Sequence, residues 1–347
     1  MAFYKPLTRV TMKVTIRDIA RKAGVAPSTV SAVLNGKAKE SRISEQLADR
    51  IRLIASDMDY QPNYTAVSLR TGKTRVLGLI VEDISNVFFA TLAKIIEEEA
   101  DRVGYKVLYC STENNEAKAR ERIRIFNQRQ VDGFLITPTA GMRPFISDLL
   151  KQQKPVVLMD RYFPELDAPH VLVDNYNGAR LAMDHLLEKG YRNIGFVTIS
   201  LDQVQMHQRR QAWERSLAEF GVPAAPHQVL ELCYHSRPQD SIEQIKAFIS
   251  STQLDAVFFA TNYIGVYGLQ ALKQLEISIP QQLAVVCFDD HDIFGLFSPG
   301  ITIVEQPVQQ IAHTAMQLLM RQFEGSPMMI KELQVLKSGR LIVRAST

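Results

Sequence analysis

Between Arg75 and Phe288 short apolar runs recur, each separated from the next by a stretch of helical period, and no other feature constrains the fold as tightly. RVLGLIV, KVLYC, DGFLIT and PVVLMD read as strands, with helical segments at 88–103 and 116–130 between them. NIGFVTI, VLEL, DAVFFA and LAVVCF repeat the theme, with helices around Trp213, over 242–249 and over 265–275. Such alternation builds parallel sheets with helices on both faces. Two halves of this kind leave a cleft at the carboxyl ends of their strands, where open α/β sheets bind ligands.

The first 75 residues follow different rules. In TIRDIARKAG the apolar residues Ile16, Ile19, Ala20 and Ala23 lie on one helical face, Thr15 and Asp18 suit the N-terminus, and Gly24 suits the stop. A second helix begins at Pro27, a residue favoured at a first helical position, and turns Val30, Val33 and Leu34 inward. Two short helices joined by a turn of this length make a helix-turn-helix. A third helix, capped by Ser44, closes the core with Leu47, Ile51, Ile54, Ala55 and Met58. NYTAVSLRTG, residues 63–72, has the signals of a further helix too short to be stable alone. It is expected to order only against a second copy and DNA.

Charge separates the same two regions. Residues 1–75 carry 14 Lys and Arg against 6 Asp and Glu, and the remainder 26 against 31. A basic head on an acidic body is expected where one end meets a polyanion. Cys110, Cys233 and Cys287 lack zinc or disulfide spacing and read as reduced, packed thiols. The N-terminus has no signal-peptide core, and no apolar run reaches the ~18 residues of a membrane span. A cytoplasmic protein without membrane contact is expected, with Met12 an alternative start.

VTIRDIARKAGVAPSTVSAVLNG followed by YQPNYTAVSLRTGKT closely resembles the head and hinge of the LacI/GalR (lactose repressor/galactose repressor) family of bacterial transcription regulators. EDISNVFFATLAKIIEEEADRVGYKVLYC, VDNYNGARLAMDHLLEKGYRNIGFV, VVCFDDHDIFGLFSPGITIVEQP and the final GRLIVRAST continue the likeness in the family order, over about residues 13–347. It implies an α/β chain with an N-terminal all-α DNA-binding domain and a body like a periplasmic sugar-binding protein. The expected divisions are an extension at 1–12, the helix-turn-helix domain at 13–60, a hinge at 61–74 and an effector-binding domain at 75–347. That domain's first lobe would take 75–173 and 307–333, its second 174–306 and 334–347.

Family positions transfer residue by residue. The resemblance puts Phe88 and Phe89, Asp160 and Arg161, Arg209 and Trp213, and Asn262 and Asp289 at the effector. One departure is Asn262-Tyr263, where the family often has Asn-Asp. At the hinge, Asn63, Ala66, Leu69 and Arg70 match DNA contacts, with Leu69 the wedge that prises a base step apart in the minor groove. A flexible pyrimidine-purine step at the operator centre should favour that insertion. The family implies a homodimer on a near-palindromic duplex, a small effector such as a sugar, no cofactor and no metal. No leucine heptads follow GRLIVRAST, so a coiled-coil tetramer is not expected.

The second helix carries no Lys, Arg or His between Pro27 and Asn35. Ala32 stands where many family members place a long Arg or His, and its methyl suits only contact with thymine. Base reading should pass to Ser28, Thr29, Ser31 and Asn35, with Thr15 and Arg17 fixing the backbone. A loop two or three residues longer than the family's carries Lys37, Lys39 and Arg42, which suit phosphates. Two rival functions fit the sequence less well, and an enzyme is not expected. A free-standing solute-binding protein would not need the basic head. A metalloenzyme built on Asp289-Asp290-His291-Asp292 would need four consecutive residues to face one ion, and no P-loop, GxSxG or HExxH occurs.

Overall fold

The computed structural model describes residues 14–61, 68, 71–325 and 330–347. Asn63, Ala66, Leu69 and Arg70, and with them nearly all of the expected hinge helix, lie outside the described residues. The chain divides into two compact units, 1–74 and 75–347.

The first unit holds α1 (Ile16–Ala23), α2 (Pro27–Leu34) and α3 (Glu45–Asp57). Thr15 N–H and Oγ1 both donate to Asp18 Oδ2, at 3.0 and 2.6 Å, closing the N-terminus of α1. Gly24 ends that helix at φ 68°, a left-handed position where a side chain is disfavoured. Ile19, Val30 and Ile51 are fully buried where the three helices meet. Arg50 donates to the Ala23 carbonyl and so ties α3 to the end of α1.

The second unit contains two six-stranded sheets. The first lobe has strands β1 (Val76–Val81), β2 (Lys106–Ser111), β3 (Gly133–Ile136), β4 (Val156–Met159) and β5 (His170–Val173), with α4 (Val87–Arg102), α5 (Glu116–Gln128) and α6 (Arg143–Lys151) between them. The second has α7 (Asn175–Glu188), β6 (Ile194–Ile199), α8 (Val204–Glu219), β7 (Val229–Leu232), α9 (Pro238–Ser251), β8 (Ala256–Phe259), α10 (Asn262–Gln274), β9 (Ala284–Phe288), α11 (Asp292–Leu296) and β10 (Thr302–Glu305). The chain then returns as α12 (Val308–Phe323), which packs on α4 and on β3 to β5. After α13 (Ile330–Leu333) come β11 (Gln334–Lys337) and β12 (Arg340–Ile342). Strand orders are β11-β5-β4-β3-β1-β2 and β12-β10-β9-β8-β6-β7, parallel throughout except for β12. The lobes are thus topological copies, and β4 in one occupies the place of β9 in the other.

Two expectations need correction. Residues 334–337 belong to the first sheet and not the second lobe, because β11 continues from α13 into parallel pairing with β5 from His170 to Val173. The last crossing falls at Ser338-Gly339, where a Cβ on Gly339 would stand 3.0 Å from the Glu305 carbonyl oxygen. Cys233, expected to be packed, is exposed, since it follows β7 on the sheet edge; Cys110 is half-buried and Cys287 fully buried. Among the described residues no helix is long and apolar enough to cross a membrane.

Candidate effector cleft and nucleic-acid interface

The ends of the strands bring charge to the boundary between the lobes. Asp160 follows β4 and Asp289 follows β9, so the two acids stand at equivalent places in the two copies. Both take left-handed backbone, φ 66° and 72°, which aspartate tolerates better than most residues. Arg209, on the first turns of α8, lies near both. Its Nε and Nη2 donate to Asn175 Oδ1 at 2.9 and 2.7 Å, and its Nη1 donates to the Ala260 carbonyl at 2.6 Å. The Asp289 carboxylate is 3.9 Å from Nη1, and the guanidinium lies 3.6 Å over the Phe288 ring. Arg161 donates Nη2 to Glu82 and Nη1 to Asn114 Oδ1 at 2.9 Å, with Asp160 3.2 Å from Nε.

These groups are almost wholly buried, and burial penalises the charged form of each. It pushes the Asp160 carboxyl up to about 7, against the pull of Arg209 and with the help of the Asp289 charge. It raises Asp289 as well, and it lowers Arg209 and brings Arg161 down to about 9. A native state that holds the Asp160 proton more tightly than the unfolded chain loses stability as pH rises from about 4 to about 7. Asp160→Asn should therefore gain in melting temperature over the parent at pH 8, and the gain should shrink as pH falls to 5. A difference independent of pH would show that Asp160 stays ionised.

Direct bonds join the lobes. Asn86 and Asn262 exchange reciprocal amide hydrogen bonds at 3.2 Å, and Gln203 Nε2 donates to Asn114 Oδ1 at 3.1 Å. The space enclosed by Phe88, Phe89, Arg161, Arg209, Tyr263 and Gln306 is only about 40 Å³. At ~10–15 Å³ for each water it admits a few waters and no monosaccharide. The cleft is drawn closed. Phe88, Asp289 and Gln306 also wall a larger groove of about 560 Å³ beside the crossings, lined further by Asp290, Asp292 and Arg340.

Six of the eight residues expected at the effector line this space, and Asn262 stands beside it through its bonds to Asn86. Phe88 and Phe89, their rings 5.0 Å apart edge to face, both line the cleft and pack in the first lobe's core. Trp213 does not reach it. Its ring stacks on Phe196 and its Nε1 donates to the Ile194 carbonyl at 3.1 Å, because four residues along α8 from Arg209 is one turn deeper into the lobe. Glu82, Asn86, Gln203, Gln205 and Gln306 line the cleft and were missed by sequence reasoning, as was Asn114, which bonds Arg161 and Gln203 beside it. Only the strand-end position of Glu82 offered a signal. The acid-histidine run disperses: Asp290 accepts from His291 N–H and from Arg344, while His291 Nδ1 accepts from Ile293 N–H to cap α11.

In the first unit, Ser28 and Asn35 are exposed on α2 and at its end, and Thr29, Ser31 and Ala32 are half-buried. Asn35 Nδ2 is turned back onto its own helix, donating to the Ser31 carbonyl at 2.6 Å. Thr15, Arg17, Lys37, Lys39 and Arg42 are exposed, and Ala38 is buried between the two lysines, which pins the loop. Among the described residues Arg17, Lys37, Lys39 and Arg42 form no ion pair, whereas Arg21, Lys22 and Arg52 pair with Asp18, Asp57 and Asp49.

A family described as bacterial regulatory proteins, lacI family, matches residues 15–63, and one described as a periplasmic binding protein-like domain matches 183–347. The HTH-type transcriptional regulator PtxS of Pseudomonas plecoglossicida is 32% identical over 348 residues, 99% of this chain and 98% of its own. The chain belongs to the LacI family. Another LacI-family relative, the ribose operon repressor of Haemophilus influenzae, is 29% identical and covers 90% of this chain and 92% of its own. The crystallised lac repressor dimer bound to operator and the anti-inducer ONPF shares the fold with a TM-score of 0.84, at 18% identity over 96% of this chain and 99% of that one. A LacI-family regulator from Alkaliphilus metalliredigens, complexed with D-xylulofuranose, aligns with a TM-score of 0.68 and 25% identity, over 79% of this chain and 99% of its own. The protein is accordingly a transcriptional regulator of the LacI family.

Proposed function

We propose that the protein is a homodimeric repressor of carbohydrate-utilisation genes whose operator affinity is set by a sugar-like effector between the lobes. The observation that carries this reading is the constellation of Arg209, Arg161, Asp160, Asp289 and Gln306 around one cleft, a mixture of donors and acceptors suited to a polyol. A ribose operon repressor among the relatives and a sugar-bound structural neighbour support it. Two heads on successive major grooves would read a near-palindromic duplex. Ser28, Thr29 and Ser31 would contact bases, and the hinge would bend the centre. Effector binding would shift the balance between lobe arrangements, by no more than its difference in affinity for them.

Selection of bound duplexes from a random pool, followed by release with candidate sugars, tests this reading. A selected palindrome with a flexible centre, and a sugar that changes its affinity, are expected. Failure to enrich any sequence would sink it. On the selected duplex, Lys37→Ala and Lys39→Ala should each weaken binding to specific and random DNA alike. Each should also reduce the slope of log affinity against log salt by about 1. A changed base preference would instead place that loop in the groove.

A further inference from the structure

The lobes hold each other through their own side chains, and one of these contacts is carried by a turn under backbone strain. We propose that Asn114 is a latch that keeps the lobes together by protein contacts alone, and that an effector acts by breaking it. This rests on the reading of a small effector between the lobes and deepens it by giving the direction in which that effector moves them.

The turn that presents Asn114 is held in one geometry. Glu113 and Asn114 lie at φ 52° and 51°, two left-handed positions in succession, a conformation that persists only where the surroundings impose it. Thr112 N–H donates to the Val81 carbonyl at 3.0 Å, Glu113 N–H donates to that of Glu82 at 2.7 Å, and Asn115 Oδ1 caps α5 by accepting from Lys118 N–H. Asn114 Oδ1 then accepts from Arg161 of its own lobe at 2.9 Å and from Gln203 Nε2 of the other at 3.1 Å. Because a guanidinium can only donate, Arg161 fixes the amide with its oxygen as the shared acceptor. Gln203 immediately precedes α8, the helix that carries Arg209, and its Oε1 accepts from Gln205 Nε2 at 2.9 Å. Tyr234, on the turn after β7, reaches the same place, where burial beside Asp83 and Asn114 pushes its hydroxyl up to about 12. The Asn86 and Asn262 amides close the seam at a second point.

These bonds and a bound effector exclude one another. About 40 Å³ remains between the lobes, too little for a monosaccharide, so a molecule of that size enters only as Asn114 and Gln203 part. The latched arrangement is also costly to itself. Among the described residues the donors Arg161 Nε, Asn114 Nδ2, Thr261 Oγ1 and Tyr263 Oη and the acceptors Gln205 Oε1 and Gln306 Oε1 are buried without a hydrogen bond. Each offsets part of what the interlobe bonds contribute, and a ligand in the opened cleft can satisfy groups of both kinds. Apparent effector affinity is then the intrinsic affinity multiplied by the unlatched fraction, so weakening the latch raises it.

The test uses the full-length protein with Cys110→Ser and Cys233→Ser, and with Glu113→Cys and Asp202→Cys as exposed reporters beside the intact latch. Ethanediyl bis-methanethiosulfonate should cross-link the two lobes without any sugar present. The rate should fall about threefold or more when the sugar that releases the selected operator is added, and equally when Asn114→Gly is introduced. Glycine suits the left-handed backbone, so the turn should survive the loss of the side chain. A rate that rises with the sugar, or that neither sugar nor Asn114→Gly changes, overturns the proposal. By calorimetric titration Asn114→Gly should bind the sugar about threefold tighter or more, and Asn114→Asp, which can still accept from both Arg161 and Gln203, should return to the parent value. Weaker binding by the glycine variant would make Asn114 a ligand contact and overturn the latch. If no sugar acts on the protein while Asn114→Gly still slows the cross-link, the latch stands and the carbohydrate reading alone falls.

Discussion

Replacing Arg209 by methionine should abolish the effector response, lowering effector affinity by at least about a hundredfold, while effector-free operator affinity stays within about threefold. The side chain is 2% exposed, and every guanidinium nitrogen holds a group that shapes the cleft. Methionine keeps much of the volume over Phe288 but leaves the Asp289 carboxylate without the guanidinium 3.9 Å from it. Breaking a buried ion pair from one side costs about 3–5 kcal/mol. At ~2–4 °C per kcal/mol in a unit of this size, the melting temperature should fall on the order of 10 °C. Arg209→Lys should recover part of the stability but little of the affinity, since an ammonium cannot span Asn175 and Ala260 with a planar fork. Calorimetric titration with the identified effector and thermal unfolding of all three proteins check this. A methionine variant that still answers the effector at wild-type concentration would remove Arg209 from the site.

The second large effect concerns the head. Ile51→Asp should eliminate specific operator binding, by about a thousandfold or more, and leave effector binding by residues 75–347 unchanged. Ile51 is fully buried where α3 meets α1 and α2, in a core that otherwise rests on a few residues such as Ile19, Val30 and Val33. Loss of a buried isoleucine alone costs about 2–5 kcal/mol, and an unpaired carboxylate in its place adds a desolvation penalty. A head this small has little margin to absorb that. The two units have separate cores, so the damage should stay local. Operator anisotropy beside effector titration measures both halves. Loss of effector binding in the variant would show that the units fold as one.

The general course of the chain was legible because its signals are local. Pro27 and Gly24 mark helix ends through their backbone chemistry, and short β-branched-rich runs such as VLGLIV and AVVCF read as strands buried on both faces. The site was legible only in part. Arg209, Asp160, Asp289 and Asn262 could be carried over from family motifs, yet the same route placed Trp213 in the cleft, where it is core. Its four-residue distance from Arg209 translates into depth only once the direction in which the helix is aimed is known. Asn114 and Gln306 escaped because nothing near them in the chain marks them, and Glu82 had only its strand-end position; their partners Arg161 and Asp289 lie far away.

The sequence by itself determined the helices of the head, its basic charge and the alternating run of the two βα halves, since periodicity, caps and charge act over a few residues. Only the tertiary structure decided that Asp160 and Asp289 occupy equivalent strand ends, that β11 pairs with β5 before the last crossing, and that Glu82 neutralises Arg161 in the cleft. Those facts depend on which distant residues come within hydrogen-bonding reach, and burial then sets their charge and polarity.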